Sequence, residues 1–257
     1  VMVAGFANAQ VKGEGAGVSF DEAQETFTAR YTHETVALAF AITEEAIEDN
    51  LYDRLSARYT KALARSMSNA KQVKAIEPLI NGLPSTATFK SGDGVSLFNK
   101  DHTTVSGPNV ANTLQTQADL NETSLEQSMI DIAKMTDERG LRIAARGLKM
   151  IIPSELQFTA ERLMKSQGRT GTADNDINAI VSMGMVPQGY RVNNYLTDSD
   201  AFYILTDIPN GMKMFTRAPL TTAMEGDFDT GNVRYKARER YSFGVSDFRG
   251  IFGVEGA

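Results

Sequence analysis

The sequence contains no cysteine and only two histidines, His33 and His102. Without cysteine the chain cannot form disulfides, thiolate zinc sites, iron–sulfur clusters or a cysteine nucleophile. With so few histidines, a histidine-rich metal site is also an unfavourable interpretation. Several classes of redox and metal enzyme are therefore excluded before any motif is considered.

Long apolar runs are also missing. Residues 36–42 reach about a third of the roughly 20 residues that a membrane-spanning helix needs, so no such helix is predicted. The 257 residues are 42% hydrophobic and 23% charged, which is typical of one large or two small globular domains. The formal net charge of −6 disfavours a nucleic-acid binder that relies on phosphate contacts, although a local basic face is compatible with it.

The common catalytic and nucleotide motifs are absent as well. No serine has the flanking glycines of a G-x-S-x-G elbow, and the Walker loop and dinucleotide fingerprint are missing. Glycines alternate at 13, 15 and 17, but no Lys-Ser or Lys-Thr pair follows them, as a phosphate loop requires. We interpret residues 1–19 as an extended N-terminal arm. Val1 precedes Met2, which fits either maturation cleavage or a simple boundary.

Residues 20–42 have the composition of a β-hairpin. Aromatic and polar side chains alternate at 27–31, and a second strand-like run at 35–40 could pair with the first around His33-Glu34. Such a ribbon has little to pack on locally. We therefore expect it to fold onto the body of the protein or to dock on a neighbour.

The segment 43–82 predicts one long helix that begins at Thr43. Acidic residues at its start and basic residues towards its end complement the helix dipole, and Pro78 and Asn81-Gly82 predict its end. Such a length is typical of a structural spine rather than of a compact enzyme domain. The apolar stripe of this helix comprises Ile47, Leu51, Leu55, Tyr59, Leu63 and Met67.

The second half of the chain predicts shorter elements. Capping boxes at 123–126 and 154–157 each predict the first turn of a helix, with a buried strand at 148–152 before Pro153. The first of these helices would bury Leu125, Met129, Ile132 and Ala133 and stop near Arg139-Gly140. Strands are predicted at 190–196, 201–205, 212–215 and 232–244. One face of the last strand is strongly basic and carries Arg234, Lys236, Arg238 and Arg240.

Few residues suggest catalysis. Glu225, Asp227 and Asp229 would share one strand face, where calcium binding or glycosidic chemistry is imaginable, but a solvated acidic turn is the favoured interpretation. The same applies to the Asp198 and Asp200 pair. An acid/base pair of Asp101 and His102 would need a nucleophile from elsewhere, and nothing nominates one.

Several segments resemble, in order, the major head subunits of Mu-like tailed phages. The run Leu-Phe-Asn-Lys-Asp-His at 97–102 is similar to the Leu-Phe-Asn-x-x-His stretch of that family. The helix start at 123–126, the Asp-Glu-Arg-Gly turn at 137–140 and the strand–Pro–helix unit at 148–156 resemble its following elements. Further matches are Asn175, the strand at 201–207, and the run at 238–245, which resembles the closing strand of tailed-phage capsid proteins generally.

This resemblance implies an α+β, Hong Kong 97-type capsid fold. Its N-terminal arm would be residues 1–19 and its extended hairpin loop 20–42. The spine helix of the peripheral domain would be 43–82, and the axial domain 83–211. The long strands of the peripheral domain would be 212–247, and a C-terminal strand within 248–257 would rejoin the axial domain.

The same resemblance implies a structural protein without catalytic residues, cofactor or metal. Copies would assemble into pentamers and hexamers of an icosahedral virion shell around double-stranded DNA, after synthesis in the bacterial cytoplasm. Neighbouring capsomers, a portal, and decoration or scaffolding proteins would be its partners. No lysine lies between Lys12 and Lys61, so the cross-linking found in some members of the family is not expected. The candidate contact residues are Phe27, Arg30, Tyr31, Val36, Leu38, Arg54 and Arg58.

Two other functions are compatible with the sequence. An encapsulin-like compartment would keep the fold and hold an enzyme cargo instead of DNA, although the 97–102 run favours a phage capsid. A metal-dependent hydrolase built on Glu225, Asp227 and Asp229 is a more remote alternative.

Overall fold

The structure, a computed structural model, describes residues 2–49, 52–168 and 176–257, without the side chains of residues 3 and 52–55. The stripe members Leu51 and Leu55, the contact candidate Arg54 and the family match Asn175 lie outside this description. Helices and strands are mixed along the chain, as the α+β prediction requires. Among the described residues, no helix combines the length and hydropathy of a transmembrane segment.

The regular elements follow one another in a mixed order. The strands are β1 (Val3–Ala4), β2 (Gln24–Glu25), β3 (Glu34–Ile42), β4 (Gly147–Ile152), β5 (Tyr190–Val192), β6 (Phe202–Thr206), β7 (Met212–Gly226), β8 (Val233–Val245) and β9 (Ile251–Val254). The helices are α1 (Glu44–Glu48), α2 (Tyr52–Ile80), α3 (Glu122–Ala133), α4 (Gln157–Lys165) and α5 (Ala179–Ser182), with a 3₁₀ turn at Phe248–Gly250.

The chain divides into two compact units. Unit 1 comprises Val1–Arg30, Glu77–Lys213 and Val245–Ala257, and unit 2 comprises Tyr31–Ile76 and Met214–Gly244. Each unit therefore combines segments that are far apart in sequence. Neither unit can complete its core until distant parts of the chain have met, which is a property of high contact order.

A four-stranded sheet in the order β5-β4-β6-β9 forms the centre of unit 1. β4 is parallel to β5, whereas β6 is antiparallel to β4 and to β9, so the last strand joins this sheet. Helix α3 packs closely on the start of β4 at Gly147. A Cβ atom at that glycine would lie 2.8 Å from the Met129 sulfur and 2.9 Å from Ile204 Cγ2, so only glycine fits without a shift of these side chains.

The helices of unit 1 begin at other residues than the sequence predicts. α3 starts two residues before Ser124, and its capping box joins Asn121 to Ser124 rather than Thr123 to Glu126. α3 ends at Ala133, which is exposed, so both the predicted end near Arg139-Gly140 and the burial of Ala133 are wrong. α4 begins only at Gln157 and has no side-chain cap, because Ser154 instead donates to Glu155.

The predicted hairpin at 20–42 is wrong. Residues 26–33 form no strand, and β3 pairs with β8 in a register that places Thr35 opposite Arg240 and Ile42 opposite Val233. β2 pairs instead with β1, which makes the first residues of the predicted arm part of unit 1. The physical reason is that β8 offers a full-length partner and an apolar cluster, whereas the 27–31 run offers neither.

Unit 2 is built from long elements around a small core. The sheet order is β3-β8-β7, and one of its faces packs on helix α2. Leu63 and Met67 of α2 contact Ala237 of β8, and Val36 and Phe40 of β3 border this cluster. At about 1.5 Å per residue, α2 is roughly 43 Å long and forms the spine of the unit.

The long elements also differ in detail from the prediction. The single helix predicted over 43–82 is two helices, since α1 ends at Glu48 with Asp49 as its C-cap, and aspartate is among the weaker helix formers. Pro78 lies inside the last turn of α2, and the helix ends at Ile80. β7 runs on to Gly226, well past Phe215; it contains Pro219, which an edge strand tolerates.

Candidate assembly surfaces

The two faces of β8 differ in chemistry because successive side chains point to opposite sides of a strand. Towards α2, Ala237 joins the apolar cluster, and the buried Glu239 carboxylate accepts from Lys71 Nζ at 2.9 Å. Lys71 also lies 5.1 Å from the centre of the Tyr241 ring. The charge of Glu239 is therefore neutralised inside unit 2.

The opposite face of β8 is exposed and basic. We name its four cations, Arg234, Lys236, Arg238 and Arg240, the basic strip. Arg234 pairs with Asp227, but no ion pair or hydrogen bond within the described chain involves the side chains of the other three. The neighbouring strand presents small exposed residues beside them: Thr35, Ala37, Ala39 and Ala41 pair with Arg240, Arg238, Lys236 and Arg234 respectively.

We name residues 225–229 the acidic tip; they comprise the end of β7 and the start of the turn that joins it to β8. The Asn232 carbonyl accepts from the Asp227 amide at 2.8 Å, and the Asp227 carboxylate accepts from Thr230 and from Arg234. The Glu225 and Asp229 side chains are exposed, and Phe228 is fully exposed. Within the described residues, no group of three or more acids and histidines is placed so that it could hold a metal ion.

A long exposed loop connects β1 to β2. Its base is fixed, because Asp21 accepts from the Ala7 amide at 2.7 Å and lies 3.6 Å from Arg139, which also donates to the Glu22 carbonyl. The hydrogen bond from Ala7 lowers the pKa of Asp21. Between these anchors the Val11 and Phe20 side chains are almost completely exposed. The loop is therefore anchored at its ends by these hydrogen bonds, and its apolar side chains between the anchors are exposed to solvent.

The structure separates the candidate contact residues into two groups. Tyr31 and Val36 contact their own unit: the Tyr31 ring lies 4.7 Å from Phe215, and Val36 borders the apolar cluster. Phe27 is half-buried, and its backbone carbonyl accepts from the Met2 amide. The candidates that face solvent are Arg30, Leu38 and Arg58.

His102 is a structural residue of unit 1. It is fully buried, and its Nδ1 lies 2.6 Å from Asp93, not near the adjacent Asp101, which is exposed. Its Nε2 lies 3.1 Å from Asn112 Oδ1, and its ring stacks on Phe248 at 3.8 Å. The Asp101–His102 pair, which the sequence offered only as a disfavoured alternative, does not form, because His102 is buried against Asp93 while Asp101 is exposed.

Asn112 and Arg249 extend this buried polar network. The Asn112 amide donates to the carbonyls of Leu97, Phe248 and Ile251, which connects the loop of His102 to β9. Arg249 is 2% exposed and donates to Glu138 at 2.6 Å and to the Thr136 carbonyl at 2.9 Å. The sequence did not nominate Asn112, Glu138 or Arg249, because their partners are far away along the chain.

A second polar cluster lies at the start of β6. Burial and the neighbouring Asp200 carboxyl raise the pKa of Asp198 to about 6. Burial, with smaller contributions from Asp198 and Glu255, also raises the pKa of the Tyr203 hydroxyl, which has no hydrogen-bond partner within the described residues. His33 is not part of this cluster. Its Nδ1 atom lies 3.2 Å from the Ser242 hydroxyl.

Two exposed apolar residues of unit 1, Ile130 and Met183, border a groove between α3 and α5. It has a volume of about 910 Å³ and is lined mainly by apolar side chains, among them Met129, Ile130 and Met183. Ile130 and Met183 are 46% and 68% exposed. Unit 1 therefore combines a buried polar network within an apolar core with a partly apolar surface.

Comparison with solved structures gives the class of this fold. The chain is similar to the capsid of Myoviridae phage XM1, with 12% identity, a TM-score of 0.54, and coverage of 100% of this chain and 84% of that chain. It is also similar to a Mycobacterium phage Che8 structure (16% identity, TM-score 0.51, coverage 99% and 85%) and to the capsid of an empty GTA particle (13%, 0.54, 100% and 82%). These likenesses establish a tailed-phage capsid fold of the Hong Kong 97 type.

The family comparison is more specific. Residues 25–254 match the family described as phage capsid protein, and the chain belongs to that family. It is a major capsid protein, as the resemblance to phage head subunits predicts. No match was found among curated proteins.

Proposed function

We propose that copies of this chain assemble into pentamers and hexamers of a closed icosahedral shell, which encloses double-stranded DNA in the virion. Assembly would take place in the cytoplasm of the bacterial host, with a portal and scaffolding or decoration proteins as further partners. The chain would contribute no catalytic step. Its work is to form specific contacts with copies of itself.

The exposure of large apolar side chains carries this proposal. Val11, Phe20 and Phe228 are each at least 98% exposed, in segments that are fixed at their bases. A soluble monomer gains nothing from bare aromatic rings, whereas a subunit that buries them against neighbours gains about 25 cal/mol per Å² of apolar surface. These surfaces favour self-assembly over a monomeric enzyme.

Of the candidate contact residues, Arg30, Leu38 and Arg58 fit this role best, because their side chains are exposed. Arginine is enriched in interfaces, where its guanidinium pairs with carboxylates in two hydrogen bonds. Tyr31 and Val36 would support the contacts indirectly, by fixing the strand that carries Leu38.

Electron microscopy of the expressed protein tests the proposal. We expect closed particles with fivefold vertices, and their absence at high protein concentration, with a compact monomer in sedimentation velocity, would contradict it. The contents of particles purified from the source distinguish the two kinds of shell. DNA supports the phage capsid, whereas a folded cargo protein without DNA supports an encapsulin-like compartment.

A further inference from the structure

The basic strip leaves positive charge without a counter-charge. Residues on one face of a strand are about 7 Å apart, so Lys236, Arg238 and Arg240 place three unpaired cations within about 14 Å. Like charges at this spacing repel one another, and the repulsion is relieved when an acidic partner binds. The strip is therefore suited to a negatively charged partner that can approach the flat, alanine-lined sheet.

The acidic tip has the complementary properties. Glu225 and Asp229 have no ion-pair partner within the described residues, whereas Asp227 is already engaged by Arg234. Between these acids Phe228 is fully exposed, and Met224 is 64% exposed. The tip thus offers two available carboxylates and one bare aromatic ring.

We propose that the acidic tip of one copy docks on the basic strip of a second copy. This inference rests on the proposed self-assembly and names the surfaces that form one of its contacts. Glu225 and Asp229 pair with Arg238 and Arg240, since arginine forms strong bidentate pairs with carboxylates. Phe228 packs against the exposed alanines of β3 and the guanidinium groups beside them.

Tip and strip are different surfaces of the same hairpin, so each copy offers one of each. Where two copies do not exchange them reciprocally, the contact is heterologous: it continues from copy to copy and closes into a ring if the rotation permits. This is the kind of contact that joins subunits around a symmetry axis.

DNA is the competing partner for a basic surface, and two observations disfavour it. The chain carries a net charge of −6, so a neighbouring copy is itself an acidic partner. A phosphate backbone would pair with the strip but would leave Phe228 bare. A second copy satisfies both surfaces at once.

Charge-reversal variants of the strip, of the tip, and of both surfaces together test the proposal. One variant carries Arg238→Glu and Arg240→Glu, a second carries Glu225→Arg and Asp229→Arg, and a third combines all four changes. We expect the first two to reduce the yield of closed particles at least about tenfold, and the combined variant to recover most of that loss. Electron microscopy measures particles, and sedimentation velocity of unassembled subunits measures the same contact without a shell.

A matched control reverses two exposed cations of unit 1, Arg142→Glu and Arg191→Glu, and circular dichroism confirms that every variant is folded. Failure of the combined variant to recover either readout overturns the proposal, as does normal assembly of the strip variant. Normal assembly of that variant with loss of packaged DNA would assign the strip to DNA. If the unaltered protein forms no particles but its subunits associate in a charge-dependent way, the proposed shell fails while this contact stands.

Discussion

Unit 1 and unit 2 are stabilised in different ways. Unit 1 buries the ion pair of Arg249 with Glu138 and the close contact of His102 with Asp93, inside a network in which most hydrogen-bonding groups have partners. Unit 2 has a small apolar cluster around Leu63 and leaves one face of its sheet bare. The comparison indicates that unit 1 contains most of what fixes its own fold, whereas unit 2 leaves exposed the sheet face that we propose binds other copies.

The largest expected effect comes from breaking a buried ion pair of unit 1. Glu138→Ala would remove the closer carboxylate partner of the buried Arg249 guanidinium and leave only Asp247, at 3.4 Å, so we expect a loss of about 3–5 kcal/mol in the free energy of unfolding. Urea unfolding of dissociated subunits, followed by circular dichroism, measures this loss.

The double variant Glu138→Leu with Arg249→Met serves as the control, because it removes both charges together. Replacing a buried pair by apolar residues of similar volume is often close to neutral, so this variant should recover much of the stability. A Glu138→Ala protein within about 0.5 kcal/mol of the parent would show that solvent reaches Arg249 and that the network is not closed.

A matched pair of leucine truncations sharpens the comparison between the cores. Leu125 in α3 is fully buried, whereas Leu63 in α2 is 8% exposed and belongs to a small cluster. Because the cost of a truncation rises with the cavity it leaves, we expect about 4 kcal/mol for Leu125→Ala and about 2 kcal/mol for Leu63→Ala.

The same denaturation experiment measures both truncations, with Val73→Ala at an exposed position of α2 as the reference. Equal losses for the two leucines would contradict the comparison, because they would indicate that the core of unit 2 is as closely packed as that of unit 1.

The sequence predicts local elements well and distant partners poorly. The alternation that predicts a basic face on residues 234–240 is local, and β8 has that face. The partner of β3 could not be found in this way. A nearby ribbon at 27–31 is the natural choice for Thr35, yet the register joins Thr35 to Arg240, about 200 residues further on.

The buried network shows the same limit. The 97–102 run attracts attention to His102, but its partner Asp93 lies in an irregular loop that has no periodicity to guide a prediction. Similarly, Asn121 and Thr123 are both residue types that can cap a helix, and the structure shows that Asn121 is the cap of α3. The surfaces for assembly depend on which side chains are left exposed, which requires the tertiary structure.

The smallest expected effect is a pH dependence at the Asp198–Asp200 pair of unit 1. The folded pKa of Asp198 is about 6, above the ordinary value of 3.8, so the folded state holds the proton more tightly than the unfolded state does. The resulting stabilisation is complete below about pH 4 and is lost as the pH rises through about 6. Since Asp198 is only partly buried, solvent screening limits this effect to under about 1 kcal/mol.

Asp198→Asn should flatten the stability profile between pH 4 and 6, whereas Asp176→Asn, at an exposed position, should leave it unchanged. An unchanged slope in Asp198→Asn would mean that another group of unit 1 binds this proton.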